Sequence, residues 1–258
     1  MIRLDKKIVF VTGASSGIGR SCVRSFASLG ARLLMAARRL DRLEKIAGEI
    51  KKDFSADSYS FGLDVRDQPA VERALAELPK EWRAIEVLVN NAGLSRGLDR
   101  LHEGKIDDWE EMIDTNIKGL LYISRAVIPG MLERGSGHVI NIGSIAGHEL
   151  YPGGNVYCAT KFAVNAISRG LRLDLVGTPV RVSSVDPGMV ETEFSLVRFR
   201  GDAQRAGKVY QGFVPLTPDD IADAVVFCAT RPQHVNVSEM IVMPTAQAST
   251  MLAHRKPF

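Results

Sequence analysis

The segment from Lys7 to Gly19 reads KIVFVTGASSGIG. Its first six residues are short, β-branched and almost wholly apolar, as is typical of a buried strand in a parallel sheet. From Ile18 to Leu29, apolar residues recur at helical spacing, and Gly30 is a plausible helix stop. The sequence therefore predicts a strand, a glycine-rich turn and a helix, the first unit of an α/β fold.

The glycine-rich turn favours nucleotide binding. Glycines let the backbone approach a pyrophosphate closely, and the helix N-terminus supplies amide donors and partial positive charge. The spacing G-x-x-x-G-x-G differs from the common fingerprint G-x-G-x-x-G, so a purely structural turn remains the alternative. The turn residues predicted to bind a cofactor are Gly13, Ser15, Ser16, Gly17, Ile18 and Gly19.

The end of the second strand, Ala31 to Ala37, indicates which dinucleotide binds. An acidic residue at this point binds the ribose 2′-hydroxyl of NAD, whereas arginine accommodates the 2′-phosphate of NADP. From Leu33 to Leu40 there is no acidic residue, and Arg38 and Arg39 follow the strand. Guanidinium groups bind phosphate through charge-assisted hydrogen bonds, so NADP(H) is favoured. The alternative is a solvated start to the next helix, which is our interpretation of Arg42.

Strand–helix alternation continues without a composition break or repeat, which predicts one domain with a parallel sheet.

Asp64 and Val65 follow the third strand. The carboxylate could accept from an adenine amino group while Val65 packs on the ring, or Asp64 could instead cap the next helix. A further strand ends at Asn90-Asn91-Ala92-Gly93, and a later turn runs from Asp186 to Thr192. Ligands bind at such strand ends in open α/β sheets.

Ser144, Tyr157 and Lys161 form a candidate catalytic group. Tyr157 and Lys161 are four residues apart, which on a helix places them on one face. A lysine ammonium ~4 Å from a phenol, at an effective dielectric of ~20, would favour the phenolate by roughly 4 kcal/mol, or about 3 pKa units. Tyr157 would then be a general acid–base near neutral pH, with Ser144 holding the substrate oxygen. The alternative is a tyrosine and a lysine that merely share a helix face.

Asn116 is a further candidate, because it interrupts an apolar helical pattern from Asp107 to Arg134. A buried amide must be hydrogen-bonded, so it usually has a structural or catalytic role. The alternative is a polar residue that kinks the helix by bonding to neighbouring main chain.

Composition limits the function classes. The chain has 258 residues, 33 basic and 30 acidic, and a net charge of +3, which is too balanced to indicate nucleic acid or a membrane surface as a partner. The cysteines, Cys22, Cys158 and Cys228, are odd in number and lack metal-ligand spacing, so neither a disulfide framework nor a metal site is expected. The N-terminal apolar run is too short for a signal peptide or membrane span, so a cytoplasmic location is expected.

Together, these motifs resemble the short-chain dehydrogenase/reductase family. The matching segments, in chain order, are Thr12–Gly19 (TGASSGIG), Asn90–Gly93 (NNAG), Asn116, Ser144, Tyr157–Lys161 (Y-x-x-x-K) and Pro187–Gly188. The resemblance implies a single Rossmann-like, doubly wound domain over residues 1–258 with a seven-stranded parallel sheet, its dinucleotide-binding part being about 1–150. It implies hydride transfer to or from a nicotinamide and a catalytic tetrad of Asn116, Ser144, Tyr157 and Lys161.

The same resemblance assigns roles to individual residues. Tyr157 is the acid–base, Ser144 positions the substrate oxygen, and Lys161 lowers the tyrosine pKa and binds the nicotinamide ribose. Asn116 holds a water that links Lys161 to solvent. The cofactor-binding residues that complete the set are Arg38, Arg39, Asp64, Val65, Asn91, Ala92, Gly93, Pro187, Gly188, Val190 and Thr192.

A closer resemblance is to NADP-dependent 3-hydroxy acid dehydrogenases, also called serine or allo-threonine dehydrogenases. It rests on segments such as MIDTNIKGL, YPGGNVY, EFSLVRFRGD and LTPDDIADAV. It implies oxidation of the 3-hydroxyl of small 3-hydroxy acids such as serine, allo-threonine or 3-hydroxypropionate, or the reverse reduction. It also implies a homotetramer that packs through helices at about 107–134 and 155–176.

A small hydroxy acid needs a cation for its carboxylate. The charged and least regular segment, Glu193 to Phe213, offers several, and we expect Arg198 or Arg200 to close over the substrate in a lid at about 190–215. For each arginine the alternative is a solvated face or a subunit contact. Two other functions stay open at this point: an NADPH-dependent reductase of larger ketones or 3-oxoacyl thioesters, and a dinucleotide-binding sensor without chemistry.

Overall fold

A single sheet of parallel strands forms the centre of the computed structural model, which describes residues 3–256. Its seven strands lie in the order β3-β2-β1-β4-β5-β6-β7, which confirms the predicted seven-stranded parallel sheet. The strands are β1 (Ile8–Thr12), β2 (Arg32–Ala37), β3 (Ser58–Gly62), β4 (Ile85–Asn90), β5 (Gly137–Ile142), β6 (Val180–Pro187) and β7 (Glu239–Val242).

Helices cover both faces of this sheet. They are α1 (Gly17–Ser28), α2 (Leu40–Phe54), α3 (Gln68–Ala76), α4 (Ile106–Ile113), α5 (Leu120–Arg134), α6 (Asn155–Asp174), α7 (Phe194–Arg198), α8 (Ala203–Lys208) and α9 (Pro218–Ala229). Short 3₁₀ turns lie at Lys80–Trp82 and Ile145–Gly147. Within residues 3–256, none of these helices combines the length and the apolar character that crossing a membrane requires.

The alternating side chains of β1 explain why it is central and wholly buried. Val9 and Val11 belong to an apolar cluster that joins the sheet to α1, α2 and α9. Ile8 and Phe10 belong to a second cluster on the opposite face, formed with α3 and α5. An unbroken apolar strand is therefore required here, because both of its faces are covered.

The first and last long helices pack against each other on one face of the sheet. Cys22, Val23 and Phe26 of α1 share the first apolar cluster with Ile221 and Val225 of α9, and all five side chains are almost completely buried. Residues near the two ends of the sequence thus complete one core.

Two predicted segments differ from the structure. The helix predicted from Asp107 to Arg134 contains a π-helical segment, Asp114–Gly119, between α4 and α5. The segment from Glu193 to Phe213, expected to be irregular, contains the short helices α7 and α8, and Asp202 caps the second of these by accepting from the Arg205 amide. A strong periodic signal cannot develop in helices of five and six residues.

Candidate active site

A cleft of about 330 Å³ lies at the carboxyl ends of the strands that meet at the centre of the sheet. Most of the predicted cofactor residues line it: Gly13, Ser15, Ser16, Gly17, Ile18, Arg38, Arg39, Asp64, Val65, Asn91, Ala92, Gly93, Tyr157, Lys161, Pro187, Gly188, Val190 and Thr192. The sequence did not single out other lining residues: Ala37, Leu63, Leu94, Thr115, Ile142, Gly143, Glu193, Phe194 and Val197.

The glycine-rich turn meets the end of β4 at the floor of this cleft. Gly13 has φ +64°, and a Cβ there would lie 2.9 Å from the Ala92 Cα. Among residues 3–256, Gly19 is not one of those that line the cleft, and a Cβ on it would lie 2.5 Å from both Asn91 Nδ2 and the Gly13 carbonyl oxygen. In this geometry the glycine is required for close packing of the turn. α1 begins at Gly17, so its free amides face the cleft.

Asn91 joins the ends of β1 and β4. Its Nδ2 donates to the carbonyl oxygens of Thr12 at 2.9 Å and Gly13 at 3.2 Å. The Thr12 hydroxyl accepts from the amides of Asn91 and Ala92, at 3.1 Å in each case. These bonds fix the turn against β4 and leave the cleft free for a ligand.

Arg38 and Arg39 extend from the end of β2 in different directions. Arg39 Nη2 donates to the Ser16 hydroxyl at 2.9 Å, and its Nη1 donates to Glu193 at 3.0 Å. Arg38 is half-exposed and its Nη1 lies 3.9 Å from Glu111. Arg39 is therefore held against the glycine-rich turn, whereas Arg38 lies free enough to reach a ligand.

Asp64 lines the cleft in a pair with Arg66. The Arg66 guanidinium donates to both carboxylate oxygens, the shortest contact being 2.6 Å, and this hydrogen bonding lowers the pKa of Asp64 below its usual value. The alternative that Asp64 caps the next helix is wrong, because Asp67 is the N-cap of α3 and accepts from the Ala70 amide.

Tyr157 and Lys161 lie one turn apart on α6, and both are buried at the cleft wall. Lys161 Nζ donates to the Ile142 carbonyl at 2.9 Å and lies 5.9 Å from the centre of the Tyr157 ring. Burial lowers the pKa of Lys161 to about 8.

The expectation that Lys161 brings the Tyr157 pKa near neutrality is not met in this geometry. Burial raises the pKa of the Tyr157 phenol above its usual value, and the nearby Tyr151 raises it further. The charge of Arg198 and a hydrogen bond with Ser144 lower the pKa, but do not outweigh burial. Burial dominates, and Lys161 does not offset it, because its ammonium donates to the Ile142 carbonyl.

Ser144 follows β5 and faces Tyr157 across the cleft wall. Its hydroxyl caps the short 3₁₀ turn by accepting from the Ala146 amide at 3.1 Å. Its own donation, to the Pro187 carbonyl, is long at 3.5 Å. The Ser144 side chain is thus held in place by the bond it accepts, and its hydrogen can be redirected to a ligand.

Asn116 lies in the π-helical segment, outside the cleft lining. Its Oδ1 accepts from the Leu94 amide at 2.9 Å, and its Nδ2 donates to the Leu94 carbonyl at 2.9 Å and to the Thr160 hydroxyl at 3.0 Å. A Cβ on Gly93 would lie 3.3 Å from Asn116 Oδ1 and 3.8 Å from Lys161 Nζ, so Asn116 and Lys161 approach the same side of Gly93. The alternative of a kinking polar residue also has support, because Asn116 interrupts the regular helix.

Arg198 and Arg200 differ sharply in their surroundings. The Arg198 guanidinium carbon lies 5.5 Å from the centre of the Tyr157 ring, and its Nη2 donates to the Tyr151 hydroxyl at 3.2 Å. Its Nε is buried and has no hydrogen-bond partner among residues 3–256. Arg200 instead pairs with the buried Asp108, so its guanidinium is already neutralised. Within residues 3–256, neither arginine is among those that line the cleft.

The loop after β4 donates hydrogen bonds to the end of α7. Arg96 Nη1 donates to the Val197 carbonyl at 2.5 Å, and the Gly97 amide donates to the Arg198 carbonyl at 3.0 Å. Arg96 is itself held by Glu111, with Nε 2.6 Å from a carboxylate oxygen. Sequence reasoning missed these residues, because ion pairs between distant segments leave no local pattern.

The arrangement can carry out proton transfer beside a bound dinucleotide. Its proton donor is a buried phenol, with a serine hydroxyl beside it and a lysine ammonium behind it. The glycine-rich turn, the free amides of α1 and the arginines after β2 fit the phosphates of a dinucleotide.

The family model described as short chain dehydrogenase matches residues 7–201 of this chain.

The chain belongs to the short-chain dehydrogenase family. One relative is an NADP-dependent 3-hydroxy acid dehydrogenase of Salmonella typhi, 49% identical over 250 residues, which cover 96% of this chain and 99% of the relative. Another, from Schizosaccharomyces pombe, has the same activity in its name and is 43% identical over 257 residues, 99% of each chain.

The fold of this chain is also similar to those of solved dehydrogenase structures. The closed form of a serine dehydrogenase complexed with NADP⁺ has a TM-score of 0.90 and 49% identity, covering 96% of this chain and all of that one (100%). A serine dehydrogenase from Escherichia coli has a TM-score of 0.81 and 44% identity, covering 93% of this chain and 99% of that one.

Proposed function

We propose that this short-chain dehydrogenase is an NADP-dependent oxidoreductase acting on CH–OH groups. Its substrates are small 3-hydroxy or 3-oxo acids of the serine, allo-threonine or 3-hydroxypropionate type. The observation that carries the substrate class is Arg198, a cation beside the candidate acid–base Tyr157 with a buried Nε that has no partner among residues 3–256. The names of the relatives support the same substrate class and the cofactor.

The nicotinamide of bound NADP(H) supplies or accepts the hydride. Tyr157 donates its phenolic proton to the carbonyl oxygen in reduction and accepts the hydroxyl proton in oxidation. Ser144 donates a hydrogen bond to the same oxygen and holds it against the phenol. Lys161 carries positive charge behind Tyr157 and binds the nicotinamide ribose, which stabilises the phenolate when the proton leaves. Asn116 helps to position Lys161 through its bond to Thr160, the preceding residue on α6.

The substrate carboxylate binds Arg198 in this proposal. Arg198 is the last residue of α7, and Phe194 and Val197 of the same helix line the cleft. A modest shift of α7 would bring the guanidinium to an anion above Tyr157. A planar guanidinium binds a carboxylate through two parallel hydrogen bonds, which orients the hydroxyl-bearing carbon as well as holding it.

Arg198→Met tests the substrate class. We expect kcat/KM for 3-hydroxybutyrate to fall about 10- to 100-fold, because a charged hydrogen bond is lost. Turnover of methyl 3-hydroxybutyrate, which lacks the charge, should change little. Arg205→Met is the matched control, because Arg205 is an exposed arginine on α8. Equal losses in kcat/KM for the acid and its ester would contradict the binding of the substrate carboxylate by Arg198.

A substrate panel followed by nicotinamide absorbance separates the alternatives. It contains serine, allo-threonine, 3-hydroxybutyrate and an acetoacetyl thioester. Turnover of the thioester alone would indicate a 3-oxoacyl reductase. Binding of NADPH without hydride transfer to any small carbonyl would indicate a sensor.

The proposal extends to assembly and location. We propose a homotetramer formed through α4–α5 and α6, in the cytoplasm. Leu121, Leu132, Phe162 and Leu173 on these helices are exposed apolar side chains, which supports an interface.

A further inference from the structure

Glu193 places a carboxylate between two arginines that follow β2. Arg39 Nη1 donates to Glu193 Oε2 at 3.0 Å. Arg42 Nη1 donates to Oε1 at 2.7 Å and to Oε2 at 3.1 Å. Hydrogen bonds from Arg42 and Arg39 lower the pKa of Glu193, so the carboxylate is ionised at neutral pH. The arginine interpreted from the sequence as solvated, Arg42, is thus part of an anion-binding pair.

This anion-binding pair adjoins the glycine-rich turn. Arg39 Nη2 also donates to the Ser16 hydroxyl at 2.9 Å, and its Nη2 lies 3.3 Å from the Ser15 hydroxyl. A Cβ on Gly17 would lie 3.3 Å from Thr192, the residue before Glu193. Arg39 and Glu193 both line the cleft. The Glu193 carboxylate therefore lies where a 2′-phosphate on an adenine ribose would meet the arginines after β2.

Glu193 is also the residue immediately before α7. The same short helix ends at Arg198, beside Tyr157, where Arg96 and Gly97 hold its last carbonyls. The start of α7 is held by the bonds of Glu193 to Arg39 and Arg42, and by the bond between the Ser195 and Tyr210 hydroxyls. One carboxylate thus connects the adenine end of the cleft to the helix that carries the substrate cation.

A 2′-phosphate and Glu193 cannot share these guanidinium groups. A phosphate monoester carries a charge of roughly −1.5 to −2 at pH 7 and three acceptor oxygens, so it repels the carboxylate and forms more hydrogen bonds. The side chains of Arg39, Arg42 and Glu193 are each 41–42% exposed, and ion pairs at such exposure are weak. The carboxylate is therefore displaceable by the stronger anion.

We infer that Glu193 occupies the 2′-phosphate position on Arg39 and Arg42 in the absence of NADP(H), and that the phosphate releases the start of α7 when it binds. The inference rests on the proposed use of NADP(H). Glu193 is then a positioning residue that couples the choice of cofactor to the substrate lid. NAD(H) lacks the phosphate, so it leaves the contacts at the start and at the end of α7 in place.

Glu193→Gln tests the competition by isothermal titration. The variant keeps the shape and removes the competing charge, so the Kd for NADP⁺ and for the probe adenosine 2′,5′-bisphosphate should fall about 3- to 10-fold. The Kd for NAD⁺ should change less than about 2-fold. Glu191→Gln is the matched control, because Glu191 lies two residues upstream and makes no ion pair within residues 3–256. Unchanged NADP⁺ affinity, or an equal gain for NAD⁺, would overturn the competition.

Hydrogen–deuterium exchange tests the coupling to α7. In the wild-type enzyme, saturation with NADP⁺ and saturation with NAD⁺ should give different exchange rates in residues 193–200. In Glu193→Gln the two cofactors should give the same rates, because the ion pair that the 2′-phosphate displaces is already lost. A cofactor difference that survives in the variant would show that another contact carries the coupling.

Arg39→Gln separates this inference from the proposed function. Loss of NADP⁺ preference in Arg39→Gln, with no effect of Glu193→Gln, would refute the competition alone. Retention of full NADP⁺ preference in both Arg39→Gln and Arg42→Gln would show that the 2′-phosphate binds elsewhere, which would refute the competition while the proposed NADP-dependent function stands.

Discussion

Tyr157 and Lys161 illustrate what residue spacing can and cannot predict. Their four-residue separation correctly indicated one face of a helix, α6. Their electrostatic relationship depends on a third group, the Ile142 carbonyl at the end of β5, which binds Lys161 Nζ at 2.9 Å. No local pattern in the sequence specifies that contact. Burial therefore raises the pKa of the phenol without an opposing bond from the Lys161 ammonium.

Tyr157→Phe tests the role of the phenol as general acid–base. The substitution keeps the ring and removes the transferable proton, so we expect kcat to fall by at least ~10²-fold. NADP⁺ affinity should change little in a binding titration. Tyr122→Phe is the control, since Tyr122 of α5 is partly buried against the second apolar cluster and is not among the residues that line the cleft within residues 3–256. Near-normal turnover of Tyr157→Phe would refute the assignment.

Because burial lowers the pKa of Lys161, we expect the stability of the protein without cofactor to depend on pH. Its folded pKa of about 8 is below the unfolded value of 10.5, so between these values the unfolded chain binds more protons. The free energy of unfolding therefore rises with pH in that window, by about 3 kcal/mol in total. Below pH 8, the cost of burying the charge is fully present.

Lys161→Met removes that cost. Its stability advantage over the wild-type protein should be greatest below pH 8 and should shrink by about 3 kcal/mol on reaching pH 10.5. Urea unfolding at pH 7, 9 and 10.5 measures the difference, and Lys45→Met, at an exposed lysine of α2, is the control. A difference that stays constant with pH would mean that Lys161 is charged in the folded state throughout.

Arg198 and Arg200 mark the limit of sequence reasoning about the substrate. Both are basic, and both lie in the segment that the charge pattern singled out. Only tertiary contacts distinguish them: Asp108 neutralises Arg200, whereas Arg198 lies over the rings of Tyr157 and Phe194. Arg96 and Glu193 went unnoticed for the same reason, since their partners are distant in the sequence.

Among the elements, the turn between β1 and α1 was the most predictable. Apolar runs and helical spacing specified the flanking strand and helix, and the need for glycine follows from close backbone contacts. The π-helical segment was not predictable, because Asn116 adopts it through bonds to Leu94 and Thr160 in other elements. Helices α7 and α8 were missed because each has too few residues for a periodic pattern.

Gly19→Ala should damage the turn although Gly19 does not line the cleft. A Cβ there would lie 2.5 Å from the Gly13 carbonyl oxygen, and that backbone cannot move without displacing the turn. We expect a loss of about 1–3 kcal/mol in the free energy of unfolding, and weaker cofactor binding. Thermal unfolding and a cofactor titration measure the two effects.

Gly48→Ala is the matched control. Gly48 lies inside α2, and a Cβ added to it would meet no atom within 4 Å among residues 3–256. Alanine there should stabilise the protein by about 0.5–1 kcal/mol, because glycine is unfavourable in a helix interior. Equal effects of the two substitutions would contradict the crowding at Gly19.

At the scale of the whole molecule, α5 and α6 each carry exposed apolar residues along one stripe. Leu121 and Leu132 on α5 are 42% and 40% exposed, and Phe162 and Leu173 on α6 are 41% and 75% exposed. Within each pair the residues are eleven positions apart, about three helical turns, so they share a face. The seven-stranded parallel sheet could be predicted from the family resemblance, but these surfaces require knowledge of which helix faces remain uncovered.

Phe162→Glu should disrupt the proposed tetramer. A charge buried at an apolar interface is costly, so we expect light scattering to give the mass of a dimer or monomer. Val214→Glu is the control, because Val214 is 85% exposed and lies off these helices. An unchanged tetramer in Phe162→Glu would exclude the α6 face, and a monomeric wild-type protein would refute the assembly.

The packing of α1 against α9 has a consequence for synthesis on the ribosome. Strands β4 to β7 each add beside a strand that has already emerged, so the sheet can grow while translation proceeds. Helix α1 can pack early against β1, β2 and α2, but its buried face is completed only by α9, which is made near the end of the chain. We expect the Cys22 thiol of stalled nascent chains to react with maleimide until α9 has left the exit tunnel. Protection in shorter nascent chains would mean that another segment covers α1 first.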